Sequence, residues 1–417
     1  MERRPREIST TGFLAVRPLP PPSIFTGSQR LSDRHTRLLR CSAESSPTHR
    51  RRQQRVAWSA MPAAVELLMR VVLENYQGVH ETHIDRFNGI RQFVGGTKRP
   101  PRGTLLVMHG VNPRGAWDPR LEGVAKAFAA IGFRVLMPNI ASLQRLEVGL
   151  RGVEEMEAVV DALTEVVGDA SDQTLSVFGA SLSGAMALVA ASRPRMQHRV
   201  RAICVVGGFA STSTVSRKIM LMPPGSDDYG RNVLFYNFVE MALGPNEALK
   251  EALYHAVLDN HLLRRGTPDE QLPRYLAQVP PEVGALYWRL QNDVAFRLEI
   301  AEQVTAQTAE LMRALSPVEF LRTLRCRKVV LVHGQADEVV PSCEAELLYE
   351  EMRKVGIDAE LCKTHLLGHG DKMLPRQPLH RIATDVFQLV AAWASFIEAA
   401  TLPVAPATPA RVLEKAR

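Results

Sequence analysis

The chain has 417 residues, 46% of them hydrophobic and 23% charged, so it carries enough apolar material for a substantial core and is neither disordered nor fibrous. No run approaches the roughly 18 consecutive apolar residues of a membrane-spanning helix, and no stable membrane insertion is expected. The net charge of +7 is unevenly placed: residues 1–60 hold twelve Arg, no Lys and four acids, a balance of +8, which leaves −1 for the rest.

That basic arm comes first in the chain. Residues 1–60 are rich in Arg, Ser and Pro, lack sustained periodicity and are expected to form an extension without a packed core. They read either as an organelle transit peptide or as sequence ahead of a true start at Met61 in a cytoplasmic protein; the second reading is preferred. A nucleic-acid-binding protein needs its basic residues on a folded face or in a recognisable motif, so nucleic acid is excluded as a partner. From Met61, Val65, Leu68, Met69, Val72, Leu73 and Tyr76 recur at helical spacing, which predicts a helix docking this stripe on the core. Segments 83–87 and 90–94 flank Asn88-Gly89, the signature of a hairpin.

Short β-rich runs then alternate with helical stretches. Strands are expected at 104–108, 134–137, 175–178 and 202–206, with helices at 121–130, 153–167 and 183–192 between and after them. The rhythm stops between Phe209 and Phe320, where the sequence reads as helical, and resumes with a strand at 329–332, a helix at 345–354, a strand at 359–364 and a helix at 382–399. Alternation of this kind builds a mostly parallel sheet flanked by helices. The expected organisation is a core at 61–208 and 321–400, a helical lid or cap at 209–320 and a loose tail at 401–417.

The chemistry concentrates at the ends of these strands. In Thr174-Leu-Ser-Val-Phe-Gly-Ala-Ser-Leu-Ser-Gly184 a β-run meets Gly179-Ala-Ser181-Leu-Ser183 and then an Ala-rich helix. That is the strand-turn-helix setting of a nucleophile elbow, whose sharp turn requires small residues such as Gly179 and Ser183 on either side of the serine. Ser183 stands where the commonest form of the motif has Gly. A serine here also serves as an ordinary helix cap. His109-Gly110 follows the strand at 104–108, His333-Gly-Gln-Ala-Asp337 the strand at 329–332, and Gly368-His369-Gly370 the strand at 359–364. Ser, Asp and His therefore occur in the order a serine hydrolase on a parallel sheet requires.

On these segments the chain resembles the α/β-hydrolase family over roughly residues 84–208 and 316–399. The resemblance implies an α/β-hydrolase fold with a helical lid insertion between strands, and a triad of Ser181 as nucleophile, Asp337 as acid and His369 as base. It also implies an oxyanion hole formed by the backbone N–H groups of Val111 and Leu182, with His109 a structural neighbour of that turn. Glu338 is the rival acid; His365, expected inside the last strand, is the rival base; and Asp371 is expected to face solvent. Such a triad needs no metal and no cofactor. The five cysteines stand singly without metal or redox spacing, so free thiols are expected.

The expected partner is a small-molecule acyl substrate. Tyr229, Phe235, Tyr236 and Phe238 in the lid are candidate contacts to it, with ordinary lid packing as the competing reading. Met220, Leu221 and Met222 ahead of Pro223-Pro224 read as pocket wall or as hinge. The expected activity is hydrolysis of a carboxylic ester or thioester through an acyl-enzyme. The same triad also serves a peptidase or amidase or an acyltransferase, and the fold also serves proteins that bind a ligand without turnover.

Overall fold

Two hydrophobic cores, one on each face of an eight-stranded sheet, organise the molecule. This computed structural model describes residues 57–401 apart from 86–88, 97–98, 167–173, 225, 227, 261–269 and 370–376. The basic arm to residue 56, the tail beyond 401, Phe87 and Asn88 of the expected hairpin turn, Val167, Gly370 and Asp371 lie outside the described residues.

In chain order the elements are α1 (Met61–Leu73), β1 (Val79–Ile84), β2 (Ile90–Gly95), β3 (Thr104–Met108), α2 (Pro119–Ala130), β4 (Arg134–Pro138), a short α3 (Ala141–Gln144) and α4 (Leu150–Val166). Next come β5 (Leu175–Ala180), α5 (Leu182–Ser192) and β6 (Val200–Val206). Seven helices fill the stretch before β7: α6 (Thr212–Met220), α7 (Tyr229–Leu243), α8 (Glu247–Asp259), α9 (Gln271–Leu276), α10 (Pro281–Asn292), α11 (Val294–Gln307) and α12 (Ala309–Ala314). β7 (Lys328–Gly334), α13 (Ser342–Lys354), β8 (Ala359–Thr364) and α14 (Leu379–Ala400) complete the chain.

The sheet order is β1-β2-β4-β3-β5-β6-β7-β8. β2 pairs antiparallel with both β1 and β4, and every pairing from β4 to β8 is parallel. The central strands are β-branched and apolar because they are covered on both faces. Leu106, Val177, Val205 and Leu331 point into the core shared with α4, α5, α13 and the helical insertion. Leu105, Phe178, Cys204 and Val332 point into the core shared with α1, α2 and α14. α14 is long and apolar enough to cross a membrane by length and composition, yet 56% of its most apolar window is buried, with Trp393, Phe396 and Ile397 packed in this second core.

Three expectations are corrected. β7 extends through His333 and Gly334, which belong to the strand and not to the turn after it. His365 lies just beyond β8, where its Nδ1 sits 2.9 Å from Asp385. α1 docks through Ala63, Ala64 and Leu67, while Val65, Met69, Val72 and Leu73 of the expected docking stripe are exposed. The helix is apolar on both sides, so periodicity alone selects the wrong one.

Candidate active site

The chain runs outward from β3 to β4 in one direction and from β5 to β8 in the other, so β3 and β5 flank a topological switch point. Crevices at the C-terminal ends of strands open at such points. His109-Gly110-Val111 leaves β3 there and Ser181 leaves β5. The register places Met108 opposite Gly179, which brings the two turns side by side.

Ser181 adopts φ 54° and ψ −126°, a conformation that a non-glycine residue occupies only when its surroundings enforce it. They do so through its N–H, which donates to the Val206 carbonyl at 2.8 Å, and its carbonyl, which accepts from Gly184 N–H at 3.1 Å. Ser183, two residues on, is fully buried; its hydroxyl accepts from Ala180 N–H at 3.0 Å and lies 3.1 Å from the Met108 carbonyl. The substitution of Ser for the usual Gly therefore ties the elbow to the end of β3. The strictest size limit falls on Gly179 and Gly184: a Cβ on Gly179 would sit 2.7 Å from Gly184 Cα, and one on Gly184 would sit 2.5 Å from Val205 Cγ1. Gly184 escaped the sequence reading, although a glycine three residues after the serine was visible.

His109 is buried, and its two ring nitrogens have different partners. Nε2 accepts from Ile140 N–H at 2.9 Å, so the proton resides on Nδ1, which donates to the Gly110 carbonyl at 2.8 Å. Burial drives this imidazole's pKa from 6.5 down to about 4 and keeps it neutral. In a trans peptide the carbonyl and the following N–H point in opposite directions, so pinning the Gly110 carbonyl fixes the direction of Val111 N–H. The Val111 carbonyl in turn accepts from Tyr229 Oη at 2.5 Å, a bond that reaches from α7 of the insertion to the turn after β3. Val111 and Leu182 both line the cavity, and among the described residues neither backbone N–H has an acceptor.

Asp337 lies three residues beyond β7 with its side chain fully buried. Its Oδ1 accepts from Val339 and Val340 N–H at 2.9 and 2.8 Å, and His369 Nδ1 lies 2.9 Å from Oδ2. Burial pushes this carboxyl's pKa up, but the His369 charge and hydrogen bond, the nearby His333 and the Val340 amide outweigh it and hold it below the usual carboxylate range. His333 Nε2 donates to the Val340 carbonyl at 2.8 Å and supports the same loop. Gly207, at φ 64° just past β6, lies against the pair; a Cβ there would be 3.5 Å from both Asp337 Oδ2 and His369 Nδ1. With Nδ1 committed to Asp337, Nε2 of His369 remains for a proton acceptor role. Ser181 and His369 line the same cavity, but no hydrogen bond joins them, and such contacts often tighten only when substrate binds. Glu338 makes no bond to either histidine among the described residues.

The cavity measures about 560 Å³. The insertion and the adjoining loops give it an apolar wall that includes Phe209, Val215, Ile219, Val233, Leu234 and Val340, whereas the segment after α1 contributes Tyr76 and α2 contributes Arg120, Glu122 and Lys126. Of the four lid residues singled out from sequence, Tyr229 alone lines the cavity. Phe235 and Phe238 are buried in the core on another face of α7, and Tyr236 packs at 6.0 Å against Tyr254. The helical spacing that aims Tyr229 and Val233 inward turns these rings away. Met220, Leu221 and Met222 lie outside the cavity wall, and the Met222 carbonyl accepts from the buried Arg297 at 2.8 Å.

The strand order, the elbow after β5, and the acid and histidine after β7 and β8 together define the α/β-hydrolase fold. No family model matches the chain, and no curated protein matches it. Solved structures similar to it include Lactobacillus rhamnosis esterase B, at 12% identity and TM-score 0.44 over 82% of this chain and 96% of that one. They also include Pyrococcus horikoshii acylaminoacyl peptidase, at 13% identity and TM-score 0.43 over 79% of this chain. A Mycobacterium tuberculosis puromycin-hydrolyzing peptidase matches at 15% identity and TM-score 0.40 over 78%. This chain spans 42% and 40% of the two peptidases.

Proposed function

We propose that this protein is a serine hydrolase that cleaves a carboxylic ester or thioester through an acyl-enzyme. The observation that carries the reading is the part-buried Asp337–His369 pair on the same cavity as Ser181, itself held in a strained turn at the switch point. His369 Nε2 removes the Ser181 hydroxyl proton as Oγ attacks the acyl carbon, and Asp337 stabilises the imidazolium that forms. The N–H groups of Val111 and Leu182 receive the negative oxygen of the tetrahedral intermediate; one such donor is typically worth about 3 kcal/mol. His369 then protonates the leaving alkoxide or thiolate. Water, deprotonated by the same nitrogen, attacks the acyl-enzyme; the bond from the acyl carbon to Ser181 Oγ then breaks, His369 returns the proton to Oγ, and the acid is released. The wall of Phe209, Val215, Ile219 and Val233 fits an apolar acyl group, and the insertion acts as the cap over it.

Intact-mass analysis after exposure to a fluorophosphonate tests the assignment, since phosphonylation joins the serine oxygen to phosphorus and expels fluoride. One adduct on the parent protein and none on Ser181→Ala is expected. Labelling that survives in the variant, or a folded parent that never labels, overturns it.

A further inference from the structure

We propose that the part of the cavity facing α1, α2 and α14 is the leaving-group subsite, and that it takes an uncharged, apolar alcohol or thiol of benzyl size. The inference rests on the serine hydrolase reading. The cavity wall draws on both hydrophobic cores, which lie on opposite faces of the sheet. Phe209, Ile219 and Val233 of the wall belong to the core shared with the helical insertion. Leu121, Phe178 and Trp393 of the same wall belong to the core shared with α1, α2 and α14, and Val71, Val124 and Leu367 pack against that core. The cavity therefore has two arms and passes over the C-terminal edge of the sheet, where Ser181 follows β5.

The acyl group and the leaving group diverge from one carbon, so an acyl group held against the insertion sends the leaving group over the edge into the other arm. The proton requirement agrees: His369 must reach the leaving oxygen or sulfur, and Leu367, two residues before it, forms part of this arm. The charged residues of the arm are partly exposed, and each cation is matched. Asp118 pairs with Arg120 at 2.6 Å, and Glu122 pairs with Lys126 at 2.5 Å and with Arg91 at 2.8 Å. Glu74 adds a carboxylate on the same side. Among the described lining residues no cation is left over for a phosphate or carboxylate on the leaving group, whereas the side chains from the second core offer it apolar contact. The backbone of α2 makes room here as well. A Cβ on Gly123, inside that helix, would sit 2.7 Å from Tyr76 Oη. Glycine is a poor helix former, and at this position it admits the Tyr76 side chain to the cavity wall.

Relative kcat/KM of the full chain for methyl acetate, methyl hexanoate and benzyl hexanoate tests this. The ratio includes departure of the alcohol, and methanol and benzyl alcohol are of similar acidity, so it reads the fit of the leaving group. The parent should prefer benzyl to methyl hexanoate at least ~tenfold, and para-carboxybenzyl hexanoate should lose that advantage. Val124→Phe, and separately Val71→Phe, fill the arm and should cut the benzyl-to-methyl ratio at least ~fivefold, with the hexanoate-to-acetate ratio within about twofold of the parent's. Melting temperatures identify a variant that fails to fold, and the parent's preference is read without either variant. A parent that labels with the fluorophosphonate yet hydrolyses both hexanoates alike, or prefers the carboxylated ester, would overturn the subsite and leave the hydrolase reading in place. So would folded variants that keep the benzyl preference, or that lower the hexanoate-to-acetate ratio instead, since that puts the acyl chain in this arm. No labelling and no hydrolysis would overturn both.

Discussion

Val111 is fixed from both sides by side chains, one two residues before it and one 118 residues after it. His109 holds the carbonyl before it and Tyr229 holds its own. Removing the Tyr229 hydroxyl loosens the peptide at the moment it must meet a developing oxyanion, so Tyr229→Phe is expected to lower kcat roughly tenfold with little change in KM. Steady-state kinetics with a soluble short-chain ester check this, and a fall in affinity confined to KM would count against it. The elbow makes a separate demand. Gly184→Ala places a methyl 2.5 Å from Val205 Cγ1 and 3.0 Å from the Gly179 carbonyl, and overpacking of this kind costs about 1–3 kcal/mol, readable as a lower urea midpoint. That Ser181, Asp337 and His369 gather at one edge of the sheet was legible because each lies one, three or five residues beyond the end of a parallel strand, and chain order is a one-dimensional property. The Tyr229 bond was not, because it joins residues 118 positions apart and only the packing of α7 over the turn creates it.

Among the elements, the central strands were the most legible. β3 spans the residues expected of it, since a central parallel strand buried on both faces shows itself as an apolar segment; β8, at the sheet edge, carries Glu360 and Lys363 and was placed by its position in the alternation. α1 was legible as a helix but not in its orientation, because alanine on one side and larger residues on the other both satisfy the helical period, and the small side lies closest to the protein. The helical insertion is tied to the sheet domain by Glu344 of α13, whose Oε2 accepts from Ala210 and Ser211 N–H at 3.1 and 3.3 Å just before α6. Burial raises this carboxyl's pKa, against the two amides, which lower it. A neutral acceptor of the same shape should therefore serve nearly as well. Glu344→Gln is expected to stay within about 1 kcal/mol of the parent, whereas Glu344→Ala leaves two buried amides unpaired and loses about 2 kcal/mol or more. Urea denaturation of the two variants distinguishes a structural acceptor from a required charge; an equal loss in both would assign the effect to the charge.

At the level of the whole molecule, alternation announced a parallel sheet but not its strand order. The order depends on which side of β3 each crossover lands, and no local pattern records that choice. The same assembly buries histidines that must stay neutral, and this gives stability a pH dependence. The unfolded chain protonates His109 near pH 6.5, whereas the folded protein resists until about 4, so protons bind the unfolded state preferentially between these values. Stability should thus fall as pH drops through that window, by up to ~3 kcal/mol from this residue, and level off below it. His333, also held below its ordinary value by burial, acts in the same direction. Asp337 acts lower on the scale: its folded pKa lies below 3.8, so the stability it contributes persists above the ordinary carboxyl range and disappears only as pH falls through the folded value. Glu344 opposes the histidines, because its raised pKa makes protonation favour the folded state. Subtracting the pH–stability curve of His109→Gln from that of the parent cancels the other groups and isolates the imidazole. The difference should slope between pH 6.5 and 4 and be flat above pH 7; a flat difference throughout would mean that His109 is not the neutral buried acceptor its contacts with Ile140 and Gly110 require.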